Sequence, residues 1–538
     1  MKKNPNLLWI TAIILGWSFD LLFWPWKEPD GVNFAIFTLL CLIGGFLVLW
    51  LDKKRPGRGT LWLIPLILFF AATTFIRLEP LTVFLGVVFT LFLSGTLAVT
   101  FLGGRWFWYG LADYVTGFLK LAASMIVRPL SFGAEARREQ AETGAPARKI
   151  NPWPVLRGIV VALPIVAIFA ALLGSADIIF SHQLDAFVKL FRLERLPEYI
   201  FRLVYILVGA YLLAGAFLHA ASESTDENIK GEETPLAGRF FGFAESTIVL
   251  GSVALLFTAF VVIQFRYFFG GQANINIEGF TYSEYARRGF GELVAVAFFS
   301  LFMILGLGAV TRRETEMQRR VFSGLSVAVV ALVLVMLASA YQRLALYEIA
   351  YGFSRLRTYT HVALIWIALL LGAVVVLEIL RRERLFAAAM LVASLGFGIS
   401  LSLLNVDAFI VDRNVERELR GQTQVQPNGG RASFLDTQYF LDLSDDAIPA
   451  MVRAYQTPSM PDAVREEIGA ALACIRATRQ KDVKRPWQSF HFSRFAADRL
   501  FESLQSDLDR FVYSDSKWPF KVTSPDGKEY PCYSNYSD

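Results

Sequence analysis

Charge is what this sequence has least of. Only 18% of its 538 residues are Asp, Glu, Lys or Arg, against about 25% in an ordinary soluble protein. That composition excludes a disordered chain, a coiled coil and a conventional cytosolic enzyme. Three cysteines exclude a disulfide-dense secreted scaffold, and they form no Cys-x-x-Cys pair and no Cys/His metal spacing. Four histidines make a His-rich metal site an unlooked-for feature. The chain has no phosphate-cradling Gly-rich run after a strand, no His-Glu-x-x-His, no histidine-kinase or deaminase pattern and no Gly-x-Ser-x-Gly elbow. No cofactor and no metal is therefore expected. The net charge of +5 is small for this length. The basic residues follow membrane orientation, so no nucleic-acid partner is expected either.

What the chain has is apolar residues, at 55%, with a mean hydropathy of +0.45. A single soluble core stops growing near about 250–300 residues, so this length and this composition together imply a membrane body. A spanning helix needs about 20 mainly apolar residues. Eleven such stretches occur, near 7–25, 32–51, 60–77, 80–103, 154–174, 199–220, 243–265, 291–311, 321–342, 360–380 and 385–405. None alternates like a membrane barrel strand. The fold class is all-α, a polytopic bundle of about eleven transmembrane helices over 1–405 with a small, mainly helical C-terminal domain over 406–538. Lys2 and Lys3 precede a run that contains Asp20 and ends without a small-residue cleavage site, so the first stretch reads as a retained span.

Two further segments are apolar but striped. In 105–128, Asp113, Thr116, Gly117, Lys120, Ser124 and Arg128 recur every three or four residues. In 176–195 the polar line is Asp177, Ser181, His182, Asp185, Lys189 and Arg192. Both are expected to lie in the interface rather than cross. The cations of 52–59, 128–150, 312–320 and 381–384 then share one side with Lys2 and Lys3. By the positive-inside rule that side is cytoplasmic, which puts the amino terminus inside and the C-terminal domain outside.

Past Leu404 the hydropathy drops. Asp446 is placed to cap a helix containing Ala447, Met451 and Tyr455, with Pro449 in its first turn. Pro461 opens a second helix to about Thr478, Ser493 can cap a third, and Ser524-Pro525-Asp526-Gly527 reads as a turn with a short hairpin around it. Outside the cytosol Cys474 and Cys532 could be bridged; the alternative is two unpaired thiols. Cys41 reads as a buried apolar residue.

Ionisable groups in or beside a span need a partner or water. Tyr341, Arg343, Tyr347, Glu348, Tyr351, Arg355, Arg357, Tyr359 and His361 alternate aromatic and ionisable character at the expected outer edge, and Tyr285, Arg287, Arg288 and Glu292 form a second such segment. One reading is an interfacial anchoring belt. The sharper reading is a basic, aromatic-lined surface for an anionic headgroup or sugar-phosphate, with Asp177 and His182 on the same membrane face. The candidate outer-face cluster is thus Asp177, His182, Tyr285, Arg287, Arg288, Glu292, Arg343, Tyr347, Tyr351, Arg357 and His361.

Several of these residues fall in a recognisable pattern. It runs Leu163-Pro164, Ser175-Ala176-Asp177-x-x-Phe180, Tyr285-Ala286-Arg287-Arg288-Gly289-Phe290, Arg343-x-x-x-Tyr347, Tyr351-Gly352-Phe353-Ser354-x-x-Arg357, Asp412-Arg413-Asn414 and Leu443-Ser444-Asp445-Asp446-Ala447-Ile448-Pro449. Over roughly 160–510 the chain resembles the bacterial multi-pass membrane proteins of domain of unknown function 4173, to which class 4153 is related. Phe353-Ser354 stands where that pattern has Leu-Thr. The resemblance implies a bacterial inner or plasma membrane protein and implies no activity or catalytic residue. The expected role is a non-enzymatic one in envelope sensing, assembly or lipid contact through the outer face. Its partners would be the lipid bilayer, with anionic lipid headgroups or an envelope protein. A secondary transporter and a membrane-embedded lipid- or glycan-modifying enzyme are the alternatives.

Overall fold

A computed structural model of the chain describes residues 5–24, 31–142, 166, 169, 173, 196–225, 240–268, 290–382, 385–420, 435–480, 485–514 and 520–533. Eleven helices among these residues are long and apolar enough to cross a membrane. Ten match expected spans, and the eleventh is Leu111–Phe132. The expected span 154–174, apart from the helical positions 166, 169 and 173, and the striped segment 176–195 lie outside the described residues. The chain divides into two units, Met1–Pro25, Leu39–Arg55 and Leu119–Ser224 in one, and Trp26–Thr38, Pro56–Phe118 and Thr225–Asp538 in the other.

In the first unit, α1 (Pro5–Phe23) runs antiparallel to α6 (Leu196–Ser222). Gly16 permits the approach, since a Cβ there would sit 2.6 Å from the carbonyl oxygen of Ile206. Leu8, Ala12, Ala210, Ala214 and Leu218 pack together with Val48 from α2 (Val32–Leu51) and Phe132. Small residues at such contacts let backbones close in where lipid supplies no hydrophobic drive. Near the far end of α1, Asp20 is 2% exposed and accepts from Arg202 Nε at 2.8 Å and from the Tyr205 hydroxyl.

In the second unit, α3 (Leu63–Ile76) and α4 (Pro80–Thr100) form an antiparallel hairpin. Pro80 sits in the first turn of α4, where its missing N–H costs nothing, and Glu79 caps that turn by accepting from Leu81 N at 2.9 Å and Thr82 N at 2.8 Å. α7 (Phe243–Phe268), α8 (Phe290–Val310), α9 (Glu316–Tyr351), α10 (Arg355–Ile379) and α11 (Phe386–Leu404) complete the bundle. A capping box of Thr315 and Gln318 opens α9. At ~1.5 Å per residue the 36 residues of α9 extend well past a bilayer core of about 30 Å, so its last turns project beyond the apolar window.

This unit has two unlike ends. At one, Gly57 N donates to Phe101 O at 2.7 Å, Arg313 pairs with Glu378 at 3.2 Å, and Arg381 pairs with Glu316 at 2.7 Å. Arg58, Arg105, Arg312, Arg313, Arg319, Arg320, Arg381 and Arg382 gather there, and some of them line a cleft of about 390 Å³. At the other, Arg77 Nε donates to Ser402 O at 2.9 Å, and the C-terminal domain packs on the helix ends.

The part of the second unit past Leu404, where the sequence leads one to expect a C-terminal domain, includes α12 (Val406–Leu419), α13 (Ile448–Gln456), α14 (Asp462–Gln480), α15 (Phe492–Ser503) and an antiparallel sheet of β1 (Val512–Ser514), β2 (Lys521–Thr523) and β3 (Glu529–Pro531). The hairpin register pairs Val522 with Tyr530, and Gly527 turns it at φ +85°. One core runs from Leu401 through Ile410, Ile448, Met451, Ile468 and Leu472 to Val522, and Leu81, Leu85, Tyr359 and Val362 of the spans pack against it. Cys474 and Cys532 are bridged, with Cα atoms 5.4 Å apart.

Two cap assignments are corrected. Asp446 does not cap the helix that follows it; Ser444 caps that turn, and Asp446 turns instead to backbone N–H groups before α4. Ser493 is not a cap either, for His491 holds that position and the Ser493 hydroxyl donates to Ile76 O at 2.6 Å. Long-range partners won over local ones in both cases, N–H donors for Asp446 and a carbonyl acceptor for Ser493.

The striped segment forms part of α5 (Leu111–Glu142). Its polar face does not simply meet headgroups. Ser124 Oγ lies 2.9 Å from His219 Nδ1 and donates to Glu223 at 3.1 Å, and Arg128 pairs with the same Glu223. Phe118 stacks on Phe92 of α4, and Met125 meets Gly215 of α6. These contacts fall in the last three turns of the partner helices, while Val115, Leu119, Ile126 and Leu130 face outward.

Candidate functional site

The turn between α9 and α10 gathers the aromatic and cationic residues that the sequence singles out. Gly352 makes this turn with φ +80°, and a Cβ there would meet Asn414 Oδ1 at 2.6 Å. Asn414 clamps the next peptide, accepting from Phe353 N at 2.7 Å and donating to Phe353 O at 3.0 Å. Arg357 stacks 4.3 Å over the Tyr347 ring and donates to the carbonyls of Tyr351 and Gly352. Tyr347 and Tyr351 lie 4.8 Å apart by ring centroids. Arg417 donates to Ile349 O at 3.3 Å. Two guanidiniums thus complete the last carbonyls of α9, where the helix dipole favours cations. One turn deeper, Glu348, 3% exposed, lies 3.0 Å from His361 Nδ1, and Tyr341 meets the His361 ring edge-on at 4.5 Å.

Beside this turn lies a buried charged network. Arg355 grips Asp407 with both arms of its fork, at 2.8 and 2.6 Å. Asp407 is fully buried and also accepts from Ser444 N at 2.7 Å. The Arg355 backbone N–H donates to the Tyr439 hydroxyl at 2.9 Å, and Tyr359 donates to Glu79. Asp446, 2% exposed, accepts from Leu78 N at 2.7 Å and Glu79 N at 3.0 Å and from the Ser444 hydroxyl, and the Ser493 hydroxyl oxygen lies within hydrogen-bond distance of it. Glu79, Arg355 and Tyr359 belong to the ends of spans, whereas Asp407, Tyr439, Ser444, Asp446 and Ser493 belong to the C-terminal domain. The network therefore fixes the domain to the helix ends in one register.

Burial pushes the Asp446 carboxyl above the ordinary aspartate range, against the hydrogen bond from Leu78, which favours its charged form. Burial likewise raises the Tyr439 phenol. At the far end of α6, burial works against the Glu223 carboxylate, but the Arg128 bond and charge outweigh it and hold Glu223 below the usual range.

Of the expected outer-face cluster, Asp177, His182, Tyr285, Arg287 and Arg288 lie outside the described residues. Glu292 is exposed at the start of α8. Tyr347, Tyr351 and Arg357 meet at the α9–α10 turn, His361 sits one turn below with Glu348, and Arg343 is half-buried on α9. The network partners Glu79, Asp407 and Tyr439 were not singled out from the sequence. Glu79 was signalled by the Glu-Pro step that opens α4; nothing local marks Asp407, whose partner is 52 residues away. Among the described residues no group of three or more His, Cys, Asp or Glu side chains could hold a metal ion.

A family model for domain of unknown function DUF4153 matches residues 64–454, more than two thirds of the chain. The match spans the α3–α4 hairpin, the α9–α10 turn and the Asp407 and Asp446 ends of the network. It names the related class and not 4173. No curated protein and no solved structure matches the chain. The chain belongs to the DUF4153 family, a family of unknown function whose member here is a helical, multi-pass membrane protein.

Proposed function

We propose that the chain is a bacterial inner-membrane protein that holds its C-terminal domain rigidly on the extracytoplasmic face, where it serves envelope sensing, assembly or lipid contact without catalysis. The observation that carries this reading is the charge difference between the short loops at the two ends of the second unit: among the described residues between spans and outside helices, Arg105, Arg312, Arg313, Arg381 and Arg382 lie at one end and Arg77 at the other. Eight arginines gather at one end, and the C-terminal domain covers the other. Cation-rich ends stay cytoplasmic, so the domain faces outward. The Cys474–Cys532 bridge suits an oxidising compartment.

The antiparallel pairing of α1 and α6 supports the same topology. Leu196 then lies on the side where α1 ends, while four crossings by α1–α4 return the chain to the side where α1 begins. One crossing must fall between Thr100 and Leu196. The sequence offers two apolar stretches for it, 111–132 and 154–174, and either gives the same parity. The five crossings of α7–α11 then leave Val406 outside. Among the described residues, ionisable side chains of the spans cluster toward helix ends, which favours this reading over a secondary transporter with a midplane site.

The test is complementation of a deletion strain with a triple alanine variant of Arg287, Arg288 and Arg357, scored by envelope integrity. Loss of complementation at wild-type levels of folded protein is expected; full activity refutes the outer-face site. Gradient-driven uptake of a solute into proteoliposomes would favour the transporter instead.

A further inference from the structure

The loop and helix over 485–499 lie where two apolar spans end. Val32, the first residue of α2, donates its N–H to Phe490 O at 3.0 Å. The Ser493 hydroxyl donates to the carbonyl of Ile76, the last residue of α3, at 2.6 Å. Residues 490–493 are thereby held level with the ends of the apolar helices α2 and α3. At that level Trp487, Phe490, Phe492 and Phe495 are 59%, 42%, 56% and 44% exposed. A soluble domain seldom leaves four large aromatic side chains in one short segment open to water, whereas a segment lying in the membrane interface turns Trp and Phe toward the acyl chains. Arg499 lies 5.1 Å over the Phe495 ring, as basic and aromatic groups pair at a membrane surface.

Beside the aromatic collar is a cleft of about 510 Å³ lined by Leu78, Ser444, Asp445, Arg479, Arg485, Arg494 and Asp498. Leu78 belongs to the loop between α3 and α4, so the cleft lies at the same level. Arg479 pairs with Asp445 and with Asp498, and Arg494 Nε is 3.9 Å from Asp445. Among the described lining residues, three guanidiniums face two carboxylates. Planar guanidinium forks suit phosphate oxygens.

We propose that residues 485–499 anchor the C-terminal domain in the outer leaflet, and that the arginine-lined cleft beside them takes the phosphate of an anionic phospholipid headgroup. This deepens the outward reading above and rests on it. The phospholipid enters from the side, its acyl chains along the aromatic collar and its phosphate toward Arg485 and Arg494.

The test uses the full chain in nanodiscs, with cysteine introduced singly as Trp487→Cys, Phe492→Cys and Ser503→Cys and spin-labelled. Labels at 487 and 492 should show interfacial depth by oxygen and nickel collision, and the label at 503 should sit in water. Watery values at 487 and 492 overturn the anchor. The cleft is read from the preference of the protein for phosphatidylglycerol over phosphatidylcholine, measured on Phe492→Cys carrying a fluorophore and brominated lipids. Arg485→Gln should lower that preference about fivefold, the equivalent of about 1 kcal/mol for one basic residue at an anionic surface. Equal quenching by both lipids overturns headgroup recognition. Loss of the preference on adding inorganic phosphate alone assigns the cleft to a soluble anion and overturns the lipid. An impermeant maleimide that reaches Ser503→Cys only from the cytoplasmic side overturns the outward reading, and with it the leaflet, whatever the depth.

Discussion

Removal of one partner from the Arg355–Asp407 pair should unlatch the C-terminal domain. Asp407 is fully buried, and three hydrogen bonds, two from Arg355 and one from Ser444 N, compensate its charge. Arg355→Met keeps most of the side-chain volume and takes away two of the three. An uncompensated buried charge of this kind costs about 3–5 kcal/mol. At about 1.4 kcal/mol per tenfold, opening of the junction should become more frequent by roughly two to three and a half orders of magnitude. Hydrogen exchange of the Ser444 amide, which donates to Asp407, reports that opening directly. The double variant Arg355→Met with Asp407→Leu should recover much of the loss, because an apolar pair of similar volume leaves nothing buried and charged. A single-variant effect below about 1 kcal/mol would mean that water screens the pair as it screens a surface bridge, and the account of a dry junction would fall.

Asp446 separates a charge effect from a hydrogen-bond effect. Its folded pKa is raised, so the folded state binds its proton more tightly than the unfolded state. Stability contributed at this site is fully present below the unfolded pKa of about 3.8 and is lost as pH rises through the higher folded value. Asp446→Asn should flatten that dependence in thermal melts across acidic pH, while Asp446→Ala should leave Leu78 and Glu79 N–H groups unsatisfied, at about 1–3 kcal/mol each. An equal effect of both variants would refute the assignment. Gly352→Ala should cost about 1–3 kcal/mol in melts, from the strained backbone and the Asn414 contact together; a neutral outcome would show that the α9–α10 turn relaxes freely. Reduction of Cys474–Cys532, which closes a separation of 58 residues, should destabilise the C-terminal domain by about 2–4 kcal/mol in denaturant titrations. No change on reduction would mean that β2 and β3 hold the tail without it.

The helical membrane class was readable because spans are long and their composition is uniform. Ten expected stretches coincide with observed helices, as at 32–51 and 243–264. Ends were harder to place. α9 extends to Tyr351, nine residues past the expected limit near 342, because its last turns are held by Arg357 and Arg417 rather than by lipid. The aromatic and cationic pattern over 341–361 did mark a real cluster, and Tyr347, Tyr351 and Arg357 do meet. The charged network stayed hidden for a physical reason. Glu79, Arg355, Asp407 and Asp446 are far apart in sequence and each looks locally like a cap or a surface charge. Only their joint burial makes them a unit. Asp20 lies in the first expected span, and its partners Arg202 and Tyr205 come from a helix that local pattern cannot connect to it.

The central claim is that the arginine-rich end and the C-terminal domain face opposite sides of the membrane. Arg319→Cys and Ser503→Cys, each labelled in intact cells with a membrane-impermeant maleimide, test it most directly. Labelling at 503 without permeabilisation, and at 319 only after it, is the predicted result. Labelling of both from the same side, or of 319 alone from outside, would contradict the account.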